Sequence, residues 1–505
     1  MNYEEISNLA LRRGIYFPTA EIYAGAPSGF WEYGPVGERL RQKIVELWRK
    51  ELVLKEEFVE IYGSQILPRS VFEASGHLES FNDPIVQCKN CHSFYRADKI
   101  VEEVAKENVP ESLPIEKFDE LIKKHGIKCP KCGKKDFAET KKFNMMIRTD
   151  IGAMGNQECY LRPETCQNIF LNFSRVQKVA RKSLPLGIAQ VGASFRNEIA
   201  PRNSLIRERE LRQMEVEIFF NPKKIDEIEN WEEVENYKIR VQIREKEEEI
   251  SCKELVEKKI VSGKLVAYYL AKVQQLYEKY GFPIEKMRFR SLSAEARAFY
   301  ALETWDFEVL TSLGWVEIIA NNYRGEYDLK GHSEGSKKDL SIVEEGSTEK
   351  FLPHVFEISA GVDRTLFAIL DNSFRKEKRG TEERIYLSLP SKIATYLVSV
   401  FPLVNKDGLG ENAKEIFNML IDSEIDAIFD GKGSIGRRYA RTDEIGVPFN
   451  ITVDYQTKED GTVTVRERDS MKQIRVPINN LVNILTQCSR KSSTSLQIGN
   501  KQNPI

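Results

Sequence analysis

The chain has 505 residues, with 75 basic and 77 acidic side chains and a formal net charge of −2 at pH 7. So long a chain exceeds one ordinary core and implies roughly two to four folding units, while the near balance of charge excludes a generally basic surface and leaves only local patches to hold nucleic acid. MNYEEISNLALRR has no apolar core of signal-peptide length, and no stretch approaches the roughly 20 apolar residues of a membrane span, which predicts a soluble, cytoplasmic protein without membrane attachment.

Near the amino end, Leu40, Ile44, Leu47, Trp48 and Leu52 recur at helical spacing and FVEIYG follows with β-type residues, predicting an amphipathic helix that leads into a strand. After Pro68, RSVFEASGHLESFNDP is rich in small and turn residues, and an insertion over 88–143 carries paired cysteines. LGIAQVGASFRNE and RQMEVEIFF then read as strands flanking a polar loop, 199–208. Residues 222–283 mix dense charge with apolar side chains at helical intervals, such as Leu265, Tyr268, Tyr269 and Leu276, and predict a solvated helical insertion. MRFRSL, WDFEVL, WVEIIANNY and FLPHVFEIS resume strand patterning, with a helix from near Gly361, so the arrangement is α+β. From 385 to 488 strands and helices alternate as in a compact α/β domain, and the polar stretch 489–505 is predicted to be disordered.

Cys88 and Cys91 form one C-x-x-C pair and Cys129 and Cys132 another, and KCPKCGKK supplies the Pro and Gly of a tight knuckle. Four thiolates at this spacing predict a structural Zn2+ in a zinc ribbon, closed to substrate because no coordination position stays open. A helical excursion near 99–124 must fit between the pairs. Cys159, Cys166, Cys252 and Cys488 are scattered and read as small buried hydrophobes.

FRNE places Arg196 and Glu198 on one face of a strand, IRERELRQME places Arg207, Arg209, Glu210 and Glu215 on or near its partner, and AGVDR adds Arg364 at a helix start. Guanidinium groups bind phosphate oxygens through paired hydrogen bonds and counter the charge of a phosphoryl-type transition state, and carboxylates alongside can hold Mg2+ or an ammonium group. On composition alone, a salt-bridged surface hairpin accounts for the same residues equally well.

The same segments carry a resemblance. FRNE with its loop and returning strand resembles motif 2 of the class II aminoacyl-tRNA synthetases, GVDR resembles motif 3, and the stretch to Pro68 resembles motif 1. SGFWEYGPVG, LPRSVFEASGHLESFNDP, FYRAD, RPET, FRNEIAPR, RERE, QMEVEIFF, EIIANNYRGEYDL and EISAGVDR are together similar to the dimeric glycyl-tRNA synthetases of archaea and eukaryotes, and GSIGRRYARTDEIGVPFNITVD is similar to that family's anticodon-binding domain. The resemblance implies a catalytic domain over 1–384, an antiparallel sheet flanked by helices with the zinc-ribbon and helical insertions inside it, and an anticodon-binding domain over 385–488. It implies ATP-dependent activation of glycine to glycyl-adenylate and transfer to the 3′ end of tRNA(Gly), by a homodimer with the region around Pro68 at its interface.

Carried over residue by residue, the resemblance assigns Arg196 to the α-phosphate, Glu198 to the adenine end, and Arg207 and Arg364 to the outer phosphates, these three arginines being the catalytic charges. Asn197, Glu208, Arg209, Glu210, Leu211, Ile318 and Gly361 fall within the implied ATP site, with Glu317 on its Mg2+ side. Glu164, Glu215, Arg324, Glu357 and Ser359 are assigned to the glycine pocket, and Arg96 of FYRAD to a substrate contact. An amino acid without a side chain offers only an ammonium and a carboxylate, which carboxylates and an arginine suit, and a filled pocket refuses alanine by sterics, so no editing domain is expected. Arg437, Arg438, Arg441 and Arg466 are expected to contact the anticodon stem and loop.

Two departures stand out. Leu211 occupies a position where the family has a phenylalanine able to stack on adenine, which predicts weaker ATP binding or a substitute aromatic. Cys166 and Asn168 replace the usual small residues after RPET. Rival readings are a non-catalytic nucleic-acid-binding protein on the same scaffold, opposed by the retained arginines, and a class II synthetase for another amino acid, opposed by RPET together with EISAGVDR.

Overall fold

The computed structural model describes residues 3–106, 109, 113–294, 296–380 and 382–490; the predicted disordered stretch therefore lies, from 491 onward, outside the described residues. A nine-stranded sheet forms the centre, built in chain order from β1 (Val59–Ile61), β2 (Leu186–Phe195), β3 (Glu210–Phe220), β4 (Lys238–Ile243), β5 (Lys246–Ser251), β6 (Met287–Ser291), β7 (Glu303–Thr311), β8 (Gly314–Gly325) and β9 (His354–Gly361). Its spatial order is β5-β4-β6-β7-β8-β9-β3-β2-β1, antiparallel except where β1 meets β2 and β4 meets β6.

The central strands follow the two-residue period of side chains along a strand. In β3, Met214, Val216, Ile218 and Phe220 enter the main core, and the alternate residues Gln213, Glu215, Glu217 and Phe219 take the opposite face. β9 repeats this, with Phe356, Ile358 and Ala360 in the core and Glu357 and Ser359 opposite. Four helices frame the sheet: α1 (Pro35–Trp48), α2 (Cys166–Ala180), α3 (Lys264–Lys279) and α4 (Val362–Ser373). α1, α3 and α4 share the main core, while α2 covers the apolar end of the other face, where Phe173 stacks on Phe219 at 4.2 Å between ring centroids. α1 packs so tightly that a Cβ at Gly37 would stand 1.8 Å from the Ile15 carbonyl oxygen.

Residues 222–283 depart from the expected solvated helical insertion. The charged run holds the β4–β5 hairpin, which extends the main sheet, and α3 is a core helix with Leu265, Tyr268, Tyr269, Leu276 and Tyr277 all buried. Tyr277 and Tyr280 pin α3 to its neighbours, through Thr365 of α4 at 2.7 Å and the Ile44 carbonyl of α1 at 2.7 Å. Dense charge in the flanking hairpin concealed an apolar stripe that is wide enough to be buried.

The cysteine-bearing module opens at Asn82, ahead of the expected start at 88. Strands Asn82–Gln87, Phe94–Arg96 and Lys141–Asn144 form its sheet, and helices Ala97–Ala105 and Ile115–Lys124 pack Ile100, Val101, Phe118 and Ile122 into a small separate core.

The carboxy-terminal domain has strands β10 (Val398–Pro402), β11 (Ala427–Phe429), β12 (Phe449–Val453), β13 (Thr462–Glu467) and β14 (Gln473–Pro477), in the order β11-β10-β12-β13-β14. The first three neighbours are parallel and the last two pairings antiparallel, with helices α5 (Leu409–Asp422) and α6 (Ile435–Glu444) beside them. Arg39 and Lys43 of α1 meet Asp426 at 2.8 and 2.6 Å, so this domain docks on the catalytic one through ion pairs. Among the described residues no helix is long and apolar enough to cross a membrane.

Because Leu276 is fully buried, Leu276→Ala is expected to destabilise the catalytic domain by about 2–5 kcal/mol in denaturant unfolding; a loss below about 0.5 kcal/mol would fit the solvated helix instead.

Candidate active site

A cavity of about 210 Å³ opens on the polar face of β3, β8 and β9, and the loop between β2 and β3 forms part of its wall. Arg196, Arg207 and Arg364, far apart in sequence, all line it. β2 ends at Phe195, but the Arg196 backbone N–H still bonds the Arg209 carbonyl at 2.8 Å, and its side chain donates to the Pro163 carbonyl at 3.1 Å. Arg207 stands 3.2 Å from Glu198. Arg364 donates to the carbonyls of Ile206 and Glu317 at 3.2 and 2.9 Å and lies 3.3 Å from the Glu317 carboxylate. A guanidinium has five N–H donors, so each arginine keeps donors for an anionic ligand.

Glu198, Glu208, Leu211, Glu317, Ile318 and Gly361 also line the cavity, as expected of a nucleotide end. Asn197, Arg209 and Glu210 do not. Arg209 instead ties the loop down, donating to the carbonyls of Glu198 and Ser28 at 3.0 and 2.7 Å, and the Asn197 N–H bonds the Met145 carbonyl at 2.8 Å. No aromatic substitutes for Leu211, since the one aromatic in the wall, Tyr300, is committed elsewhere: its ring stacks 3.7 Å from the Arg324 guanidinium.

At the other end Glu164, Glu357 and Ser359 line the cavity. Glu164 lies 3.3 Å from His77 Nε2 and accepts from Gln167 at 3.0 Å and from the Cys166 thiol at 2.9 Å. Burial raises its pKa, but His77 and Arg324 hold it well below the ordinary carboxyl range. Burial pushes Glu357 up to about 8 against the pull of Arg324.

Three expected pocket residues lie outside the wall. Glu215 sits behind Ser359, whose hydroxyl donates to it, and receives the Thr165 N–H at 2.9 Å. Arg324 is fully buried beneath Tyr300, gripped by Asp328 at 2.6 and 2.7 Å and by Glu357 at 2.8 Å, so it serves as a strut behind the wall. Arg96 is buried in the cysteine module between Asp83 at 3.1 Å and Asp98 at 2.7 Å. Sequence reading missed Arg212, Gln213, Tyr300, Asn322 and Asp363, which do line the cavity. Gln213 and Asn322 were accessible through strand alternation from Glu215 and Arg324; Tyr300 comes from an irregular loop and left no such signal.

Cys88, Cys91, Cys129 and Cys132 bring their sulfurs within 4.8 Å of one another, with Cys88–Cys132 and Cys91–Cys129 at 3.6 Å. Zn–S bonds of about 2.3 Å in a tetrahedron require S···S near 3.8 Å, so the cage fits that ion. Both knuckles are built alike: the N–H of His92 bonds Cys88 O at 2.9 Å, the N–H of Gly133 bonds Cys129 O at 2.8 Å, and each donor has positive φ, 56° and 72°.

In the carboxy-terminal domain the four expected RNA contacts divide. Arg438 is buried and donates inward to the carbonyls of Gly431 and Gly433 at 3.0 and 2.8 Å, and Arg466 is buried against Asp443 at 3.0 and 2.9 Å. These two are corrected to internal struts. Arg441 is half-buried and paired with Asp430 at 2.6 Å, whereas Arg437 is exposed on α6.

Three arginines converging on a cavity in an antiparallel sheet, with motif-bearing strands and an appended α/β domain, define a class II aminoacyl-tRNA synthetase. The family model described as tRNA synthetase class II core domain (G, H, P, S and T) matches residues 150–373, and that described as anticodon binding domain matches 397–487. The chain belongs to the glycine–tRNA ligase family. It is 38% identical to the glycine–tRNA ligase of Methanothrix thermoacetophila, covering 96% of both chains, and 38% identical to that of Methanocaldococcus jannaschii, covering 96% of this chain and 98% of the relative. The glycine–tRNA ligase of Pyrococcus horikoshii is 37% identical, with 95% of this chain and 97% of the relative covered.

Arg438 also donates to the buried Pro402 carbonyl, so Arg438→Ala strands that acceptor at a cost of about 1–3 kcal/mol and is expected to lower the Tm of the carboxy-terminal domain. Arg437→Ala should stay within about 0.5 kcal/mol of wild type; equal Tm values for the two variants would contradict the assignment of Arg438 as a strut.

Proposed function

We propose that the protein is a glycine–tRNA ligase whose cavity holds ATP at its arginine end and glycine at its acid end. The observation that carries this reading is the meeting of Arg196, Arg207 and Arg364 with Glu164, Glu357 and Ser359 in one wall. The glycine ammonium goes to Glu164 and Glu357. Its carboxylate turns toward Arg196, where the α-phosphate also arrives, and Arg207 and Arg364 take the outer phosphates. With Arg324 and Glu215 withdrawn, they act as positioning residues for Glu357 and Ser359.

A glycine carboxylate oxygen attacks the α-phosphorus, the bond from that phosphorus to the oxygen bridging to the β-phosphate breaks, and pyrophosphate leaves with its charge countered by arginine. The terminal tRNA hydroxyl then attacks the glycyl carbonyl carbon, the bond from that carbon to the phosphate oxygen breaks, and AMP departs while the hydroxyl proton passes to its phosphate or to water. No protein nucleophile takes part; positioning and fixed charge carry the rate. Glu317 would hold Mg2+ together with phosphate oxygens, and that ion would neutralise developing charge. Asp306, pushed up to about 8 by burial and by Glu317, stands behind as a second acid on that side.

We assign structural Zn2+ to the four-cysteine cage, RNA contact to exposed Arg437 and half-buried Arg441, a twofold dimer to the region around Pro68, and action to the cytoplasm, where tRNA charging feeds translation. Closed twofold pairs are the commonest assemblies of such chains.

Exchange of labelled pyrophosphate into ATP, run across the standard amino acids, is expected with glycine and no other; exchange driven by a different amino acid, or by none, contradicts the proposal. Glu164→Gln should cut kcat/KM for glycine roughly 10- to 100-fold, since a charge-assisted hydrogen bond is worth about 1.5–3 kcal/mol, with KM for ATP little moved. Metal analysis should find about one zinc per chain, and chelation should loosen 82–144 selectively; a content well below one would remove the zinc assignment.

A further inference from the structure

Glu217 takes part in no step above and does not line the cavity, yet it stands beside Glu357, which does. It is fully buried on β3 and neither of its carboxylate oxygens has a hydrogen-bond partner. In the register of β3 with β9 it stands directly opposite Glu357, and an oxygen of each, together with the Cys166 sulfur, lie within 4.8 Å of one another. Two ionised carboxylates in that position repel, because like charges directly opposite across strands destabilise a sheet and closely placed carboxyl groups share a proton.

The charges around it decide which group carries the proton. Glu164, Glu215 and Glu357 face this space, and Asp328 closes it beyond Arg324. The permanent cations here are Arg324, which is engaged by Asp328 and Glu357 at 2.6 to 2.8 Å, and buried Arg162 on the Glu215 side, two against five acids. His77, 3.3 Å from Glu164, adds at most one charge, and burial with Glu164 beside it keeps the Cys166 thiol neutral. Full ionisation would therefore leave more negative charge than one substrate ammonium offsets. Each of the other acids has partners: Glu215 has Thr165 and Ser359, Glu164 has His77 and Gln167, and Glu357 accepts from Arg324 at 2.8 Å and Asn322 at 2.5 Å. Glu217 has none.

We propose that in the glycine complex Glu217 remains a neutral carboxylic acid and donates its O–H to the ionised Glu357, as a positioning residue that fixes the carboxylate receiving the substrate ammonium. The inference rests on the glycine reading above. Each Glu357 oxygen has a second lone pair free for this bond. Burial and the neighbouring Glu357 both push the Glu217 carboxyl well above its ordinary range.

Glycine-dependent pyrophosphate exchange with Glu217→Gln and Glu217→Leu tests the role. Glutamine keeps a neutral donor, so KM for glycine is expected within about threefold of wild type, while leucine removes it and should raise that KM at least about tenfold with KM for ATP unchanged. An equal loss in both variants would mean an ionised Glu217 that meets the ammonium itself, and no change in either would mean an acid without a part in glycine binding; each result overturns the proposal. If the leucine variant does not fold, the infrared difference spectrum of wild type minus Glu217→Gln, with glycine present, gives the answer. The carbonyl band of a protonated carboxylic acid is expected in the wild type, and its absence overturns the proposal. Wild-type protein showing no glycine-dependent exchange would instead remove the underlying glycine reading, which the comparison of variants leaves untouched.

Discussion

One constraint governs this structure: a sheet that buries charged side chains must supply each with a partner, since an uncompensated charge in a dry interior costs several kcal/mol. β3, β8 and β9 turn Glu215, Glu217, Glu357 and Arg324 inward from adjacent strands. The surrounding architecture answers that requirement for all of these but Glu217. The start of α2 supplies Thr165 to Glu215, and α2 itself lays Phe170 5.1 Å beneath the Arg324 guanidinium, with Tyr300 on the other side. Arg324 holds acids apart that would otherwise repel, and in the proposed reading a substrate ammonium meets part of the remaining deficit of positive charge.

The two ends of the cavity differ accordingly. At the nucleotide end Arg196 and Arg364 are held mostly by backbone carbonyls, which fix their direction without consuming their charge. At the other end Glu164, Glu357 and Ser359 are held among side chains. A pocket so rigid discriminates by volume, and refusing a larger rival needs no editing step. Leu211 marks the one place where the nucleotide end gives up an interaction: it offers apolar contact and no π face.

Much of this was legible in the chain. The three arginines sit in short motifs whose residue types suit phosphate, and all three reach the cavity. The C-x-x-C pairs announced their cage for the same reason, that ligand spacing is local. What failed was anything that depended on how the folded chain pairs its own arginines. Arg324, Arg438 and Arg466 are the residue type of a ligand contact, yet each is held by internal acceptors that no motif reveals. The helix Lys264–Lys279 was misread because charge in the adjoining hairpin outweighed its apolar stripe. The alternation in QMEVEIFF, by contrast, was visible from the start and separates core residues from site residues.

The central claim is that one wall brings a nucleotide and the smallest amino acid into contact. A crystal structure with a non-hydrolysable glycyl-adenylate analogue tests it most directly. The analogue's ammonium is expected between Glu164 and Glu357 and its phosphoryl mimic beside Arg196, with Arg324 still caged behind Tyr300. An analogue seated elsewhere, or an ammonium held by neither acid, would contradict it.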